Sequence, residues 1–333
     1  MTVAGAGALG LSAALALAEA GGRVTVSDPG EARASSIAAG MLAPVFEAIL
    51  DDAVGDLDLL LAARDLWPGL AARAGIALDQ SGTAAAGTAD WLADIAGRLD
   101  GLGVPAAELG PAALQVLAPG IAPGLRGLMV GEDWRLDPRP ALASLRAAAV
   151  AAGVELRTEA FDGRPQTDWL VIATGAARGL AEVAPELGHI QPIKGQILRF
   201  KDRRGGRVSL RGRGAYAVPG GDGLAIGATM EVGRSDTRID PAALRPLIAA
   251  SEALFPDLAG ATFTASAGVR AATPDGLPMA GLSRSPGVIL ATGARRNGWL
   301  LAPLVADIVT ACVTGRESGP YAARLDPRRF PVA

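Results

Sequence analysis

The chain opens on Gly5-x-Gly7-x-x-Gly10, and Asp28 follows Gly10 by eighteen residues. In a strand–helix–strand unit, Gly5 allows the tight turn, Gly7 lets backbone approach a pyrophosphate, and Gly10 lets helix and strand pack closely. Ala8 and Leu9 then lie at a helix N-terminus, whose free N–H groups face phosphate. An acid at the end of the second strand accepts hydrogen bonds from ribose hydroxyls. Four later stretches also carry chemistry. "ASSIAAGMLAP" (34–44) offers Ser35 and Ser36 as phosphate donors, and its small run at Ala38, Ala39 and Gly40 permits close approach to a flat ligand. "ATG" (173–175) ends an apolar run and brings bare backbone, at Gly175, close to something. "AGVRAATPDG" sets Arg270 among small and apolar residues, where a fork-shaped donor suits a carboxylate. "GARRNGWLLAP" puts Arg295 and Arg296 at a turn before a helix start near Asn297-Gly298, a place of partial positive charge. Taken singly, the 34–44 stretch reads as an ordinary loop and Arg270 as the partner of a structural acid.

The elements that must position these residues follow from periodicity. Leu11, Leu15 and Ala18 recur at helical spacing between a short entry at residues 2–4 and the β-branched run at 23–28, which makes a βαβ unit. Residues 51–75 predict one or two helices broken at Pro68, and 76–135 predict short strands mixed with Gly/Pro loops. Residues 137–158 read as a turn, a helix and a strand. Residues 167–177 and 287–293 read as buried strands, 241–254 as a helix, and 297–315 as a long apolar helix stopped by Gly315. The Gly220–Gly223 run joins two β-like segments as a hairpin. Parallel-sheet elements thus recur at the start, middle and end of the chain, with antiparallel elements between them. The expected class is α/β: a Rossmann-like nucleotide-binding domain with an inserted α+β substrate domain built on an antiparallel sheet. The first comprises 1–50, 136–192 and 268–333; the second comprises 51–135 and 193–267.

Composition narrows the function. The net charge is −3, so no basic footprint points to nucleic acid. The single cysteine, Cys312, cannot form an internal disulfide or a cysteine-built zinc site, which fits a reducing, cytoplasmic setting and leaves no metal site to expect. The single histidine, His189, sits in the loop-like "PELGHIQP" and is not read as catalytic. The apolar opening lacks a positive n-region, so it is not read as a signal peptide, and no stretch has the unbroken length of a membrane span. The entry before Gly5 is short, which suggests a clipped or misassigned start and a weakened first strand.

Together, "VAGAGALG", "SDP", "ASSIAAGMLAP", "DPRPALASLRAAAVAAGVEL", "WLVIATGA", "PIKGQIL", "AYAVPGGDGLAIGATME", "GVRAATPDGLPMAG" and "GARRNGWLLAP" resemble the FAD-dependent D-amino acid oxidase family over nearly the whole chain. Within it they look most like the glycine oxidases of thiamine biosynthesis. The resemblance implies FAD with its pyrophosphate over Gly5–Gly10 and its ribose on Asp28. Ser35, Ser36, Ala39, Gly40 and Met41 would run along the cofactor. Arg270 would grip the substrate carboxylate, with Tyr216 as a second donor. Met41 and Met230 would line the pocket. Arg296, Asn297, Gly298 and Trp299 would face the flavin. Cys312 lies well inside the last helix, so the flavin is expected to be noncovalent.

The implied reaction is oxidation of glycine or a small amino acid to an imino acid, with oxygen reduced to hydrogen peroxide and the imine used in thiazole synthesis. Self-association into a homo-oligomer is compatible with the chain. Ala294 and Arg295 depart from the family pattern, where relatives often carry histidine and an aromatic residue; this leaves substrate fit and oxygen reactivity open. Other readings also remain: a D-amino acid dehydrogenase or oxidase, a sarcosine-type N-methyl amino acid oxidase, a NAD-dependent dehydrogenase (which Asp28 permits), and a nonenzymatic nucleotide-binding subunit.

Overall fold

A computed structural model describes residues 1–30, 34–51, 53–161, 163, 168–203 and 205–331. Thr167, where the sequence starts one buried strand, and Asp52, within the first helical stretch, lie outside the described residues.

Short segments, apolar at the centre of the sheet, make the first sheet. Its strands run in the order Met279–Leu282, Val288–Thr292, Leu170–Ile172, Thr2–Ala4, Thr25–Ser27 and Glu155–Arg157. All neighbours are parallel except the first pair. Val3, Val171, Ile172, Ile289 and Leu290 have no exposed surface, as expected of a sheet covered on both faces. The three-residue strand Thr2–Ala4 pairs along its whole length on both sides. The alanine-rich helix Ala8–Glu19 has side chains small enough to lie close to this sheet, and the C-terminal helix Ala302–Thr314 packs against it in one apolar cluster. That helix begins at Ala302 rather than near Asn297. Residues 298–301 form turns, and Leu301 N–H already bonds Asn297 O at 2.8 Å.

The second sheet has nine strands. Gln191–Phe200 pairs antiparallel with Gly223–Gly227, Glu231–Val232 and Thr264–Ala272. Ala215–Gly220 and Ser209–Gly212 extend it to Thr83–Gly87, Arg126–Val130 and Ala107–Leu109. The hairpin at Gly220–Gly223 forms as its glycines predict, and the helix Pro241–Leu254 covers one face.

The expectation for residues 76–135 also needs correction. Residues 76–135 hold the helices Ala89–Gly101 and Pro111–Leu117 as well as strands. Leu92, Ile95 and Leu99 give the first of these a buried stripe at spacings of three and four, which the Gly/Pro content of the stretch masked. The boundaries expected at 192/193 and 267/268 lie within the paired strands Gln191–Phe200 and Thr264–Ala272.

Candidate active site

Two cavities share a wall. The larger, about 610 Å³, lies over the carboxyl ends of the parallel strands, where open α/β sheets take ligands. Residues 4–9 form its floor, and it is also lined by Asp28, Ser35, Thr174, Gly175 and Thr292. The turn admits only glycine at two places. Gly5 has φ +105°, and a Cβ there would stand 2.4 Å from Ala173 O. A Cβ on Gly10 would stand 2.0 Å from Gly5 O. Both obstacles are backbone, which cannot swing aside.

Asp28 braces this turn. Its Oδ2 accepts from Ala6 N–H at 2.7 Å and its Oδ1 from Gly30 N–H at 2.8 Å. Ser35 Oγ accepts from Ala8 N–H at 3.0 Å, at the start of the first helix, while Ser35 O accepts from Trp299 Nε1 at 3.0 Å. Ala8, Leu9 and Gly175 line the cleft. Ser36 does not: it lies on the same short helix, Ala34–Ile37, but lines neither cavity. Successive helical residues point about 100° apart, so one serine facing the cleft turns the other away. A long cleft walled by backbone and small residues, braced by a carboxylate and closed to side chains at the phosphate turn, fits a dinucleotide such as FAD.

The smaller cavity, about 120 Å³, is lined by Ala39, Gly40, Met41, Glu47, Tyr216, Arg296, Asn297 and Trp299 among others. Ala34, Ser35, Arg270, Arg295 and Gly298 line both spaces. The buried Arg199 holds the segment before Ala39, with Nη2 donating to Ile37 O (2.9 Å) and Ala38 O (3.2 Å).

Arg270 projects over Gly195 of the neighbouring strand. Its Nη1 donates to Thr229 O at 3.2 Å and to Met230 Sδ at 3.3 Å. Among the described residues it meets no carboxylate, and burial holds its pKa below the ordinary arginine value. Met230 is therefore a brace against the guanidinium; it does not line the cavity.

Arg296 is different. Its Nε lies 3.3 Å from Glu47 Oε2 and its Nη1 3.1 Å from Asp51 Oδ1. Asp51 also meets Arg295 Nη1 at 3.1 Å, and Glu47 Oε1 accepts from the buried Arg211 at 2.5 Å. Burial alone would raise the Glu47 carboxyl, but Arg296 and Arg211 outweigh it and bring it down to about 2. Burial keeps Asp51 above the usual aspartate range. Arg296 thus reaches the cavity already paired with two carboxylates, not as a free anion grip.

Sequence reasoning missed Glu47, Asp51 and Arg211, and also Asp133. The last accepts from Val45 N–H (2.8 Å) and Phe46 N–H (3.1 Å), and burial pushes it up to about 7. His189 bonds Pro331 O and lines neither cavity, and Cys312 is half-buried in the last helix.

Among the described residues no helix is long and apolar enough to cross a membrane, and no cluster suits a metal ion. The family profile described as FAD dependent oxidoreductase (DAO) matches residues 1–312. Glycine oxidase of Pseudomonas putida is 31% identical over 360 residues, covering 97% of each chain. The bifunctional protein ThiO/ThiG of Trichormus variabilis is 30% identical; the match covers 99% of this chain and 55% of that protein, so the chain spans about half its length. The crystal structure of glycine oxidase from Geobacillus kaustophilus superposes with a TM-score of 0.85 at 26% identity, covering 99% and 98%. A cleft shaped for a dinucleotide, a profile match over most of the chain and a full-length likeness to glycine oxidases converge: the chain belongs to the DAO family of FAD-dependent oxidoreductases.

Proposed function

We propose that this enzyme oxidises glycine, or an amino acid nearly as small, to the imino acid with reduction of oxygen to hydrogen peroxide, and that it serves thiamine thiazole synthesis. The observation that carries this reading is Arg270, a guanidinium at the junction of the two cavities with no carboxylate partner among the described residues. A small space beside it, about 120 Å³, favours a substrate with little or no side chain. The names of the relatives support the substrate and the pathway.

Asp28, Ser35, Gly175 and the glycine turn would hold FAD, and its ring would reach the wall shared by the two cavities, toward Ala39, Gly40, Met41, Asn297, Gly298 and Trp299. Bound there, FAD supplies the two-electron acceptor for the substrate Cα–H bond and the donor to oxygen. The residues supply placement. Arg270 takes the carboxylate through its fork, and the Tyr216 hydroxyl adds a second donor. The walls at the half-buried Met41 and the buried Trp299 would limit water and fix the Cα–H direction. Glu47, kept ionised by Arg296 and Arg211, serves as their buried counter-charge. Arg296 holds Glu47 in place. The six-stranded half serves as the FAD unit and the nine-stranded half as the substrate unit.

The test is purification of the yellow protein followed by peroxide release from glycine, sarcosine, D-alanine and D-aspartate. Glycine should give the highest kcat/KM. A faster rate with sarcosine or D-alanine replaces the glycine reading with the N-methyl or D-amino acid one, and turnover only with an artificial acceptor makes the enzyme a dehydrogenase.

A further inference from the structure

The strand Gln191–Phe200 turns alternate residues to opposite faces. Gly195 faces Arg270, and a Cβ there would stand 2.2 Å from Nη1. Its neighbours Lys194 and Gln196 point the other way, and both have no exposed surface. On that face they anchor the segment 229–240. Lys194 Nζ lies 2.9 Å from Asp236 Oδ1 and 3.9 Å from Glu231 Oε2. Gln196 Nε2 donates to Glu231 Oε1 at 2.8 Å, and its Oε1 accepts from Asp240 N–H at 2.8 Å. Thr229 Oγ1 accepts from Gln196 N–H and donates to Glu231, both at 2.8 Å.

The same segment then returns to the site. Thr229 O and Met230 Sδ receive the Arg270 guanidinium, and Ser235 and Thr237 line the cofactor cleft. A fully buried ammonium costs stability unless its partners are fixed, and a methionine would fill the same space without that cost. What the lysine adds is a definite position for the segment, and with it for the carbonyl that aims the guanidinium.

We propose that Lys194 is a positioning residue for substrate binding, acting with Asp236 through Thr229 and Met230 to hold the Arg270 fork toward the substrate carboxylate. This rests on the reading of Arg270 as the carboxylate grip. The network lies on the opposite face of the strand from the substrate, so it sets affinity without touching the reacting atoms.

The test compares K194M, D236N, R270K and K194M/R270K as flavin-loaded enzymes. It measures KM and kcat for the best amino acid of the panel, acetate binding by perturbation of the flavin spectrum, flavin content and Tm. K194M and D236N should each raise KM and the acetate Kd about tenfold, with kcat within about twofold, the size expected when a positioned charged hydrogen bond is misaligned. Flavin content should stay unchanged, and K194M should add little to R270K. D236N decides the matter where K194M does not fold, because its half of the pair is on the more exposed segment. A lowered Tm with unchanged KM and acetate binding in D236N, while R270K raises both, makes the network purely structural and overturns the proposal. An R270K enzyme with unchanged KM and acetate binding removes the carboxylate grip itself, and the role of Lys194 with it.

Discussion

The two cavities are built by different means. The cofactor cleft is mostly backbone and small side chains, and its phosphate turn comes from one continuous stretch, residues 4–10, braced by Asp28. The smaller cavity instead carries charged side chains, Glu47, Arg295 and Arg296, whose partners arrive only on folding: Glu47 and Arg211 are 164 residues apart, and Arg295 reaches Asp51 across 244. The first depends on space and backbone direction, where nothing can be added. The second depends on charge balance, where nothing can be taken away.

Substitutions separate the two modes, the largest effects first. Gly10→Ala puts a methyl 2.0 Å from a backbone oxygen, so the protein should be recovered without flavin or not at all; normal flavin content would show that the turn can yield. Arg270→Ala should raise KM about 100-fold through loss of charge-assisted hydrogen bonds, with flavin still bound, and steady-state kinetics with glycine check it. Glu47→Gln leaves Arg211 and Arg296 short of a buried partner, a change that costs about 3–5 kcal/mol. Its Tm should drop by several degrees; an unchanged melting curve would mean the network relaxes freely.

The smallest effect is one of pH. Asp133 is raised from 3.8 to about 7, so the folded protein keeps a proton that the unfolded chain gives up. Its contribution to stability is complete below pH 3.8 and is lost as pH rises through about 7. Between these limits wild-type Tm should fall more steeply than that of Asp133→Asn, and parallel slopes would remove Asp133 from the account.

What could be read from the sequence follows the same division. The glycine turn, Asp28, the parallel strands and the 220–223 hairpin are local patterns whose physics is complete within about thirty residues. Arg270 taken alone read as the partner of a structural acid, and only the family resemblance singled it out as a carboxylate grip. Glu47 was not legible, because an acid on the helix Pro44–Leu50 looks like an ordinary solvated charge until Arg211 and Arg296 arrive from distant segments. Ser36 misled for a related reason: nothing in "ASSIAAG" tells which serine the short helix turns inward. Arg296 was expected to face the flavin, and its pairing with Glu47 and Asp51 was hidden with those partners.

One brace has a consequence for how the cofactor is taken up. Asp28 ties the N–H groups of Ala6 and Gly30 to a single carboxylate, so the phosphate turn owes its shape to the protein's own side chain. A receptor already in its receiving shape spends little of the encounter on ordering itself. Recapture of flavin by stripped enzyme should then follow second-order kinetics, with a rate proportional to flavin concentration and no slow lag, and Asp28→Ala should introduce one.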